Sequence, residues 1–151
     1  MAGDTDDDMR IRRPGASGHR AVPHTADVRV EAWGANREQC LVEAVLGMVE
    51  CFADLTGARA TAMRQVQMAE GSDDDLLAAL LDEVVFRLEV HGDVPVDVEV
   101  ETVDGGLDVR MAVTDVSSVP IIGAVPKAVS WHELHLAPDA YGWSCSVTVD
   151  V

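Results

Sequence analysis

Two aspartates in distant parts of the chain carry the side chains that hard metal ions prefer. Asp27 opens the alternating segment DVRVEAW, and Asp150 lies at the end of a second one, WSCSVTVDV. Alternation places both aspartates on the polar face of a strand. The main-chain carboxyl group of Val151 would add a third oxygen donor beside them, and such oxygens suit Ca²⁺, Mn²⁺ or Mg²⁺. The spacing alone also fits ordinary solvated aspartates.

Histidine and lysine residues near these strands are further candidates. His24 lies just before the first strand, and Lys127, the only lysine of the chain, opens KAVSWHELHL. His132 alternates with Leu134 and Leu136, a pattern that predicts a core-facing histidine rather than a catalytic base. No spacing typical of a phosphate-binding loop, a zinc protease or a serine or cysteine triad occurs. The residues therefore indicate a cation site without indicating a reaction.

The composition limits the partners. The chain has 151 residues, a net charge of −16 and a sequence pI near 4.4. Nucleic acids and anionic membranes bind clustered lysine and arginine, so direct RNA or membrane binding is not expected, whereas basic protein surfaces are suitable partners. Neither a signal peptide nor a membrane-spanning segment is recognisable, which predicts a cytoplasmic protein. The cysteines, without a C-x-x-C spacing, are expected to be reduced core residues: Cys40, Cys51 and Cys145.

Hydrophobic periodicity predicts the elements that position these residues. Residues 1–19 are expected to form a disordered tail with a solvent-facing His19, and residues 20–151 a single domain. The predicted elements are a strand at 27–33, a helix from Asn36 to Gly57, a strand at 60–69, a helix from Ser72 to Gly92, and two hairpins that turn at 104–106 and 138–142. This order, β-α-β-α-β-β-β-β, predicts a two-layer α+β fold with both helices packed on one mainly antiparallel sheet.

Three separated segments resemble the archease family over residues 20–151. They are His24-Thr25-Ala26-Asp27, the KAVSWH segment that starts at Lys127, and the terminal Asp150-Val151. Archeases are protein cofactors of the GTP-dependent RNA ligase of tRNA splicing and RNA repair. That ligase joins a 2′,3′-cyclic-phosphate or 3′-phosphate end to a 5′-hydroxyl through a guanylate on an active-site histidine, with manganese. The resemblance implies a protein that is not an enzyme and that promotes ligase guanylylation and multiple turnover.

The resemblance also implies roles for individual residues. A divalent cation would be bound by Asp27, Asp150 and the Val151 carboxylate, with Ca²⁺, Mn²⁺ or Mg²⁺ as the ion. Lys127, His132 and His24 would serve activation or partner contact, with Lys127 positioning or neutralising the carboxylates or touching the ligase. Ser130-Trp131 stand where the family usually has threonine and tyrosine, so a role for a phenolic hydroxyl at position 131 is in doubt.

Two other functions remain open from the sequence. One is a stand-alone metal-dependent phosphohydrolase that uses Asp27 and Asp150, although no general base or nucleophile is evident beside them. The other is a general chaperone-like partner protein. An enzyme turns over a phosphoester unaided and a chaperone suppresses the aggregation of unrelated proteins, whereas a ligase cofactor does neither.

Overall fold

A computed structural model describes residues 12–23 and 26–151 of the chain. Its elements are β1 (Gly18–Pro23), β2 (Asp27–Gly34), α1 (Arg37–Glu50), β3 (Ala62–Ala69), α2 (Asp73–His91), β4 (Asp93–Val103), β5 (Gly106–Asp115), a short 3₁₀ helix (Val116–Ser118), β6 (Ala128–Asp139) and β7 (Gly142–Asp150). Within the described residues, no helix is long and apolar enough to cross a membrane.

The strands form two antiparallel sheets. One sheet has the order β1-β2-β7-β6 and the other has the order β3-β5-β4. Helix α1 packs against β2 and β4, and α2 packs against β6 and β4, so both helices contact both sheets. The predicted α+β class and both predicted hairpins are confirmed, but the single sheet of the prediction is divided into two. Alternation shows which face of a strand is buried and does not show which strand it pairs with.

Local side-chain chemistry starts both helices where the sequence predicts. The Asn36 side chain accepts a hydrogen bond from the Gln39 amide (2.8 Å) at the start of α1, and the Ser72 hydroxyl accepts one from the Asp75 amide (3.1 Å) at the start of α2. Gly92, in the left-handed region at φ 69°, ends α2. The two helices and the sheets enclose the largest buried side chains: Leu41, Met48, Phe52, Leu76, Leu77, Leu80, Leu81, Leu107 and Met111.

Helix α1 ends at Glu50, well before the predicted end at Gly57. The following residues instead pair with the loop that precedes β6. Ile122 donates its main-chain N–H to the Phe52 carbonyl, and Asp54 donates to the Pro120 carbonyl. This tertiary pairing satisfies main-chain groups that a longer helix would have used, so it overrides the local apolar spacing.

The prediction of a disordered tail is wrong for residues 12–19, while residues 1–11 lie outside the described residues. Strand β1 begins at Gly18 and pairs along β2. Arg12 is only 7% exposed, and its guanidinium donates to the Asp139 carboxylate at 2.6 Å. His19, predicted to face solvent, lies between two carboxylates of α1. The segment GHRAVP lacks the apolar alternation of a strand, which explains why the pattern missed β1.

Candidate cation and partner site

The strand register brings the two candidate aspartates together. Strands β2 and β7 are neighbours, and Asp27 pairs directly with Asp150 across them. Side chains at directly opposite positions share one face of the sheet, with Cβ atoms roughly 4.5–5.5 Å apart. Asp27 is half-buried and Asp150 is exposed. Two carboxylates in this arrangement repel each other unless a cation lies between them, so the pair is suited to a hard divalent ion.

Main-chain groups continue this end of the sheet. The Val151 N–H donates to the carbonyl of Ala26 at 3.4 Å, so Val151 lies beside the residue that precedes Asp27. Among the residues in the structure, no three His, Cys, Asp or Glu side chains gather closely enough to hold a metal ion. A cation at this end of the sheet would have only two side-chain carboxylates as ligands and would need main-chain oxygen or water to complete its shell, which Ca²⁺ and Mg²⁺ accept.

The aspartate pair opens into a cleft of about 560 Å³ on the outer face of the four-stranded sheet. The residues that line it are Ala26, Asp27, Arg29, Ser130, His132, Glu133, Thr148 and Asp150. All of them come from β2, β6 or β7 or directly precede these strands. One end of the cleft is therefore acidic, while its middle carries an arginine and two hydroxyl groups.

A bulge in β6 forms one wall of the cleft. Ser130 pairs with Thr148 and His135 pairs with Ser146, so residues 131–134 stand opposite a single residue of β7. Within the bulge Glu133 adopts φ 59°, a left-handed conformation that is rare for a residue with a side chain.

The bulge changes which side chains of β6 face solvent. Trp131 is 57% exposed, and His132 is also exposed, so the prediction of a core-facing His132 is wrong. Leu134 remains buried beside it. Side chains alternate strictly between core and solvent only in a regular strand, and the extra residues of the bulge change which positions face the core. His132 consequently lines the cleft, where a partner can reach it.

Lys127 does not line the cleft of the aspartate pair. Lys127 directly precedes β6, and its main-chain N–H donates to the Asp150 carbonyl at 2.7 Å. Lys127 is exposed and lines a separate cavity of about 400 Å³ with Val85, Leu88 and Glu89 of α2. The structure thus does not support the carboxylate-neutralising role predicted for Lys127, and its contact with a partner stays a prediction. His24 lies outside the described residues.

A small α+β domain of this architecture has known counterparts. The solution structure of protein 1598 from Methanobacterium thermoautotrophicum superposes with a TM-score of 0.71 at 23% identity, over 89% of this chain and 99% of the other. A Thermotoga maritima crystal structure described as an archease and possible chaperone superposes with a TM-score of 0.63 at 20% identity, over 86% and 94% of the two chains. These two likenesses establish the fold.

Sequence similarity establishes the family. Residues 19–151 match the Archease protein family (MTH1598/TM1083), and the chain belongs to this family. The chain is 51% identical to a probable protein archease of Mycobacterium tuberculosis over 144 residues, which cover 95% of this chain and 80% of the relative. It is 26% identical to protein archease of Methanosarcina barkeri over 137 residues, which cover 86% and 93% of the two chains.

Proposed function

We propose that this protein is a cytoplasmic cofactor of the GTP-dependent RNA ligase in tRNA splicing and RNA repair. It promotes guanylylation and multiple turnover of the ligase and does not join RNA itself. Its acting part is an acidic tip, made of Asp27, Asp150 and the main-chain carboxyl group of Val151, that binds a divalent cation. The observation that carries the proposal is the direct pairing of Asp27 with Asp150 at an open cleft in a chain of the archease family.

Charge supports this choice of partner. A ligase that holds two RNA ends and GTP needs a basic active site, and a chain of net charge −16 is attracted to such a surface. Carboxylates at the tip compete with product phosphates for the same basic groups. A bound cation neutralises the paired aspartates and offers positive charge to a nucleotide phosphate.

Multiple-turnover RNA ligation by the cognate ligase, with GTP and Mn²⁺, tests the proposal. The natural protein is expected to stimulate ligation and Asp150→Asn is not. Asp104→Asn is the matched control, because Asp104 is an exposed carboxylate in the β4–β5 turn of the other sheet. Failure of the natural protein to stimulate an active ligase, or equal stimulation by Asp150→Asn, contradicts the proposal. Phosphoester hydrolysis without ligase, or suppressed aggregation of unrelated proteins, would point to the two other functions.

The role of Val151 has its own test. A few residues added after Val151 convert its carboxyl group into a neutral amide, so calorimetry is expected to show weaker Mn²⁺ and Ca²⁺ binding. The melting temperature in saturating chelator is expected to stay the same, which shows that the extension leaves the fold intact. Equal affinity of the extended and natural proteins removes Val151 from the site.

A further inference from the structure

The cleft contains a second row of polar side chains next to the aspartate pair. Arg29 of β2 pairs with Thr148 of β7, which in turn pairs with Ser130 of β6. The three side chains therefore lie side by side across three strands, on the same face as the row of Asp27 and Asp150. All three line the cleft. Neighbouring side chains on one face of a strand are two residues apart in the sequence. The row of Arg29 and Thr148 therefore lies directly beside the row of Asp27 and Asp150.

Arg29 differs from the other half-buried or buried arginines of the structure. The arginines that pair with carboxylates are Arg12, Arg20, Arg37, Arg64, Arg87 and Arg110. Within residues 12–23 and 26–151, no carboxylate forms an ion pair with Arg29, although this chain has 27 acidic residues. Its Nε is enclosed without a hydrogen-bond partner, as is the Nε of Arg12, so what sets Arg29 apart is the missing carboxylate. A half-buried guanidinium that lines a cleft without a carboxylate partner is suited to an acceptor from outside the protein.

The hydroxyl groups of the row add donors. The Ser130 Oγ accepts a hydrogen bond from the His132 main-chain N–H at 3.2 Å, which leaves the Ser130 hydrogen free to donate. Thr148 is half-buried between Arg29 and Ser130. A guanidinium fork flanked by hydroxyl donors matches the oxygens of a phosphate group, to which arginine donates charge-assisted and often bidentate hydrogen bonds.

We propose that Arg29, Thr148 and Ser130 form a phosphate-binding subsite that is filled together with the cation. Asp27 and Asp150 alone repel an anion from the adjacent row, whereas a divalent ion between them removes that repulsion and contributes attraction. Phosphate and cation binding are therefore coupled, each strengthening the other. The proposal rests on the cation site of the proposed function, and it assigns the cleft a ligand, a phosphate monoester borne by a free nucleotide or by the end of an RNA strand.

A nuclear magnetic resonance titration of the full chain with Mg²⁺ tests the subsite. The probes are GMP and a short RNA with a 3′-phosphate, and guanosine and the same RNA with a 3′-hydroxyl are the phosphate-free controls. We expect the phosphate-bearing probes to shift the resonances of Arg29 Nε–H, Ser130 and Thr148 with Mg²⁺ present and not with chelator. The probe that binds more tightly identifies the source of the phosphate.

The variant Arg29→Gln removes the charge and keeps a polar side chain of related shape. It is expected to weaken phosphate binding about tenfold or more, the usual effect of losing a hydrogen bond to a charged group. The control is Arg59→Gln, since Arg59 is exposed and does not line the cleft. Unchanged melting temperatures in chelator show that both variants fold. Thr148→Val, which keeps the shape and removes the hydroxyl, is expected to show a smaller loss.

Equal affinity of Arg29→Gln and Arg59→Gln, or equal binding of GMP and guanosine, overturns the subsite. The ligation assay separates this failure from that of the proposed function. Stimulation that requires Asp150, combined with no phosphate binding, leaves the cofactor function standing and removes the subsite. Phosphate binding that requires Arg29, combined with no stimulation of the ligase, leaves the subsite standing and removes the function.

Discussion

At Asp27 and Asp150 the chain places two carboxylates at directly opposite positions of neighbouring strands. Like charges in such a pair destabilise a sheet by a few tenths to about 1 kcal/mol. The proposed cation site would account for two opposed charges at this position. The pair therefore predicts opposite effects of one substitution on stability and on cation binding.

Asp27→Asn tests this opposition. In saturating chelator the variant is expected to be more stable than the natural protein, by about 0.2–1 kcal/mol, because one of two opposed charges is removed. With Ca²⁺ or Mn²⁺ in excess the order is expected to reverse, since only the natural protein binds the ion tightly. Thermal unfolding under both conditions measures the effect. The prediction is contradicted if the variant is less stable than the natural protein in chelator and is stabilised by the ion to the same extent.

His19 predicts a pH dependence at a different place. Its Nδ1 lies 2.7 Å from a Glu43 carboxylate oxygen, and its Nε2 also contacts Glu50. The hydrogen bond with Glu43 is the main cause that raises the pKa of His19, against the opposing effect of burial, and Glu50 raises the pKa further. A raised pKa in the folded state means that protonated His19 stabilises the fold.

The direction of the pH dependence follows from the raised pKa of His19. The stabilisation is fully present below the ordinary histidine pKa of about 6.5 and is lost as the pH rises through the raised value. His19→Gln is therefore expected to cost about 1–2 kcal/mol near pH 6 and clearly less near pH 9. Denaturant unfolding of both proteins at the two pH values measures this difference. A cost that grows with pH would show that His19 is not held as an imidazolium.

At the scale of the elements, the bulge in β6 is the feature that shapes the cleft. Regular pairing of β6 with β7 stops after Ser130 and resumes at His135. The bulge turns His132 outward and holds Glu133 at φ 59°. For a residue with a Cβ atom this conformation costs roughly 1–2 kcal/mol, and glycine adopts it freely.

Two substitutions of Glu133 test its left-handed backbone conformation directly. Glu133→Gly and Glu133→Ala both remove the carboxylate, so they differ only in backbone preference. The glycine variant is expected to be the more stable one by about 1 kcal/mol in denaturant unfolding. In an ordinary strand the order would be the reverse, because glycine is unfavourable there. A more stable alanine variant would thus exclude the left-handed conformation.

The predicted elements show what a sequence encodes locally. The two helix starts and both hairpins follow from side-chain caps, apolar spacing and turn residues that act within a few positions, and they are confirmed. Strand β1 lies at the edge of its sheet and lacks apolar alternation, and the β6 bulge interrupts the alternation of a hairpin strand, so a search for alternation finds neither feature. The role of Arg29 is hidden for another reason, since its lack of a carboxylate partner becomes visible only in three dimensions.

At the scale of the whole molecule, the net charge of −16 bears on association with the proposed partner. Attraction to a basic ligase surface would speed the encounter, and salt would screen this attraction, since the Debye length falls from about 10 Å at 0.1 M to about 3 Å at 1 M. The rate of association with the ligase is therefore expected to fall about tenfold or more over this range, with a smaller change in the rate of dissociation. Stopped-flow mixing measures both rates, and an association rate independent of salt would contradict charge-driven docking.

Guanylylation of the ligase is the step that tests the central claim most directly. Transfer of labelled guanylate from GTP to the cognate ligase, with Mn²⁺ and without RNA, is measured over time with the natural protein, Asp150→Asn or Asp104→Asn. The acidic tip predicts acceleration by the natural protein and by Asp104→Asn, and none by Asp150→Asn. Guanylylation that proceeds at the same rate with all three proteins and with none would show that the paired aspartates do not act on the ligase.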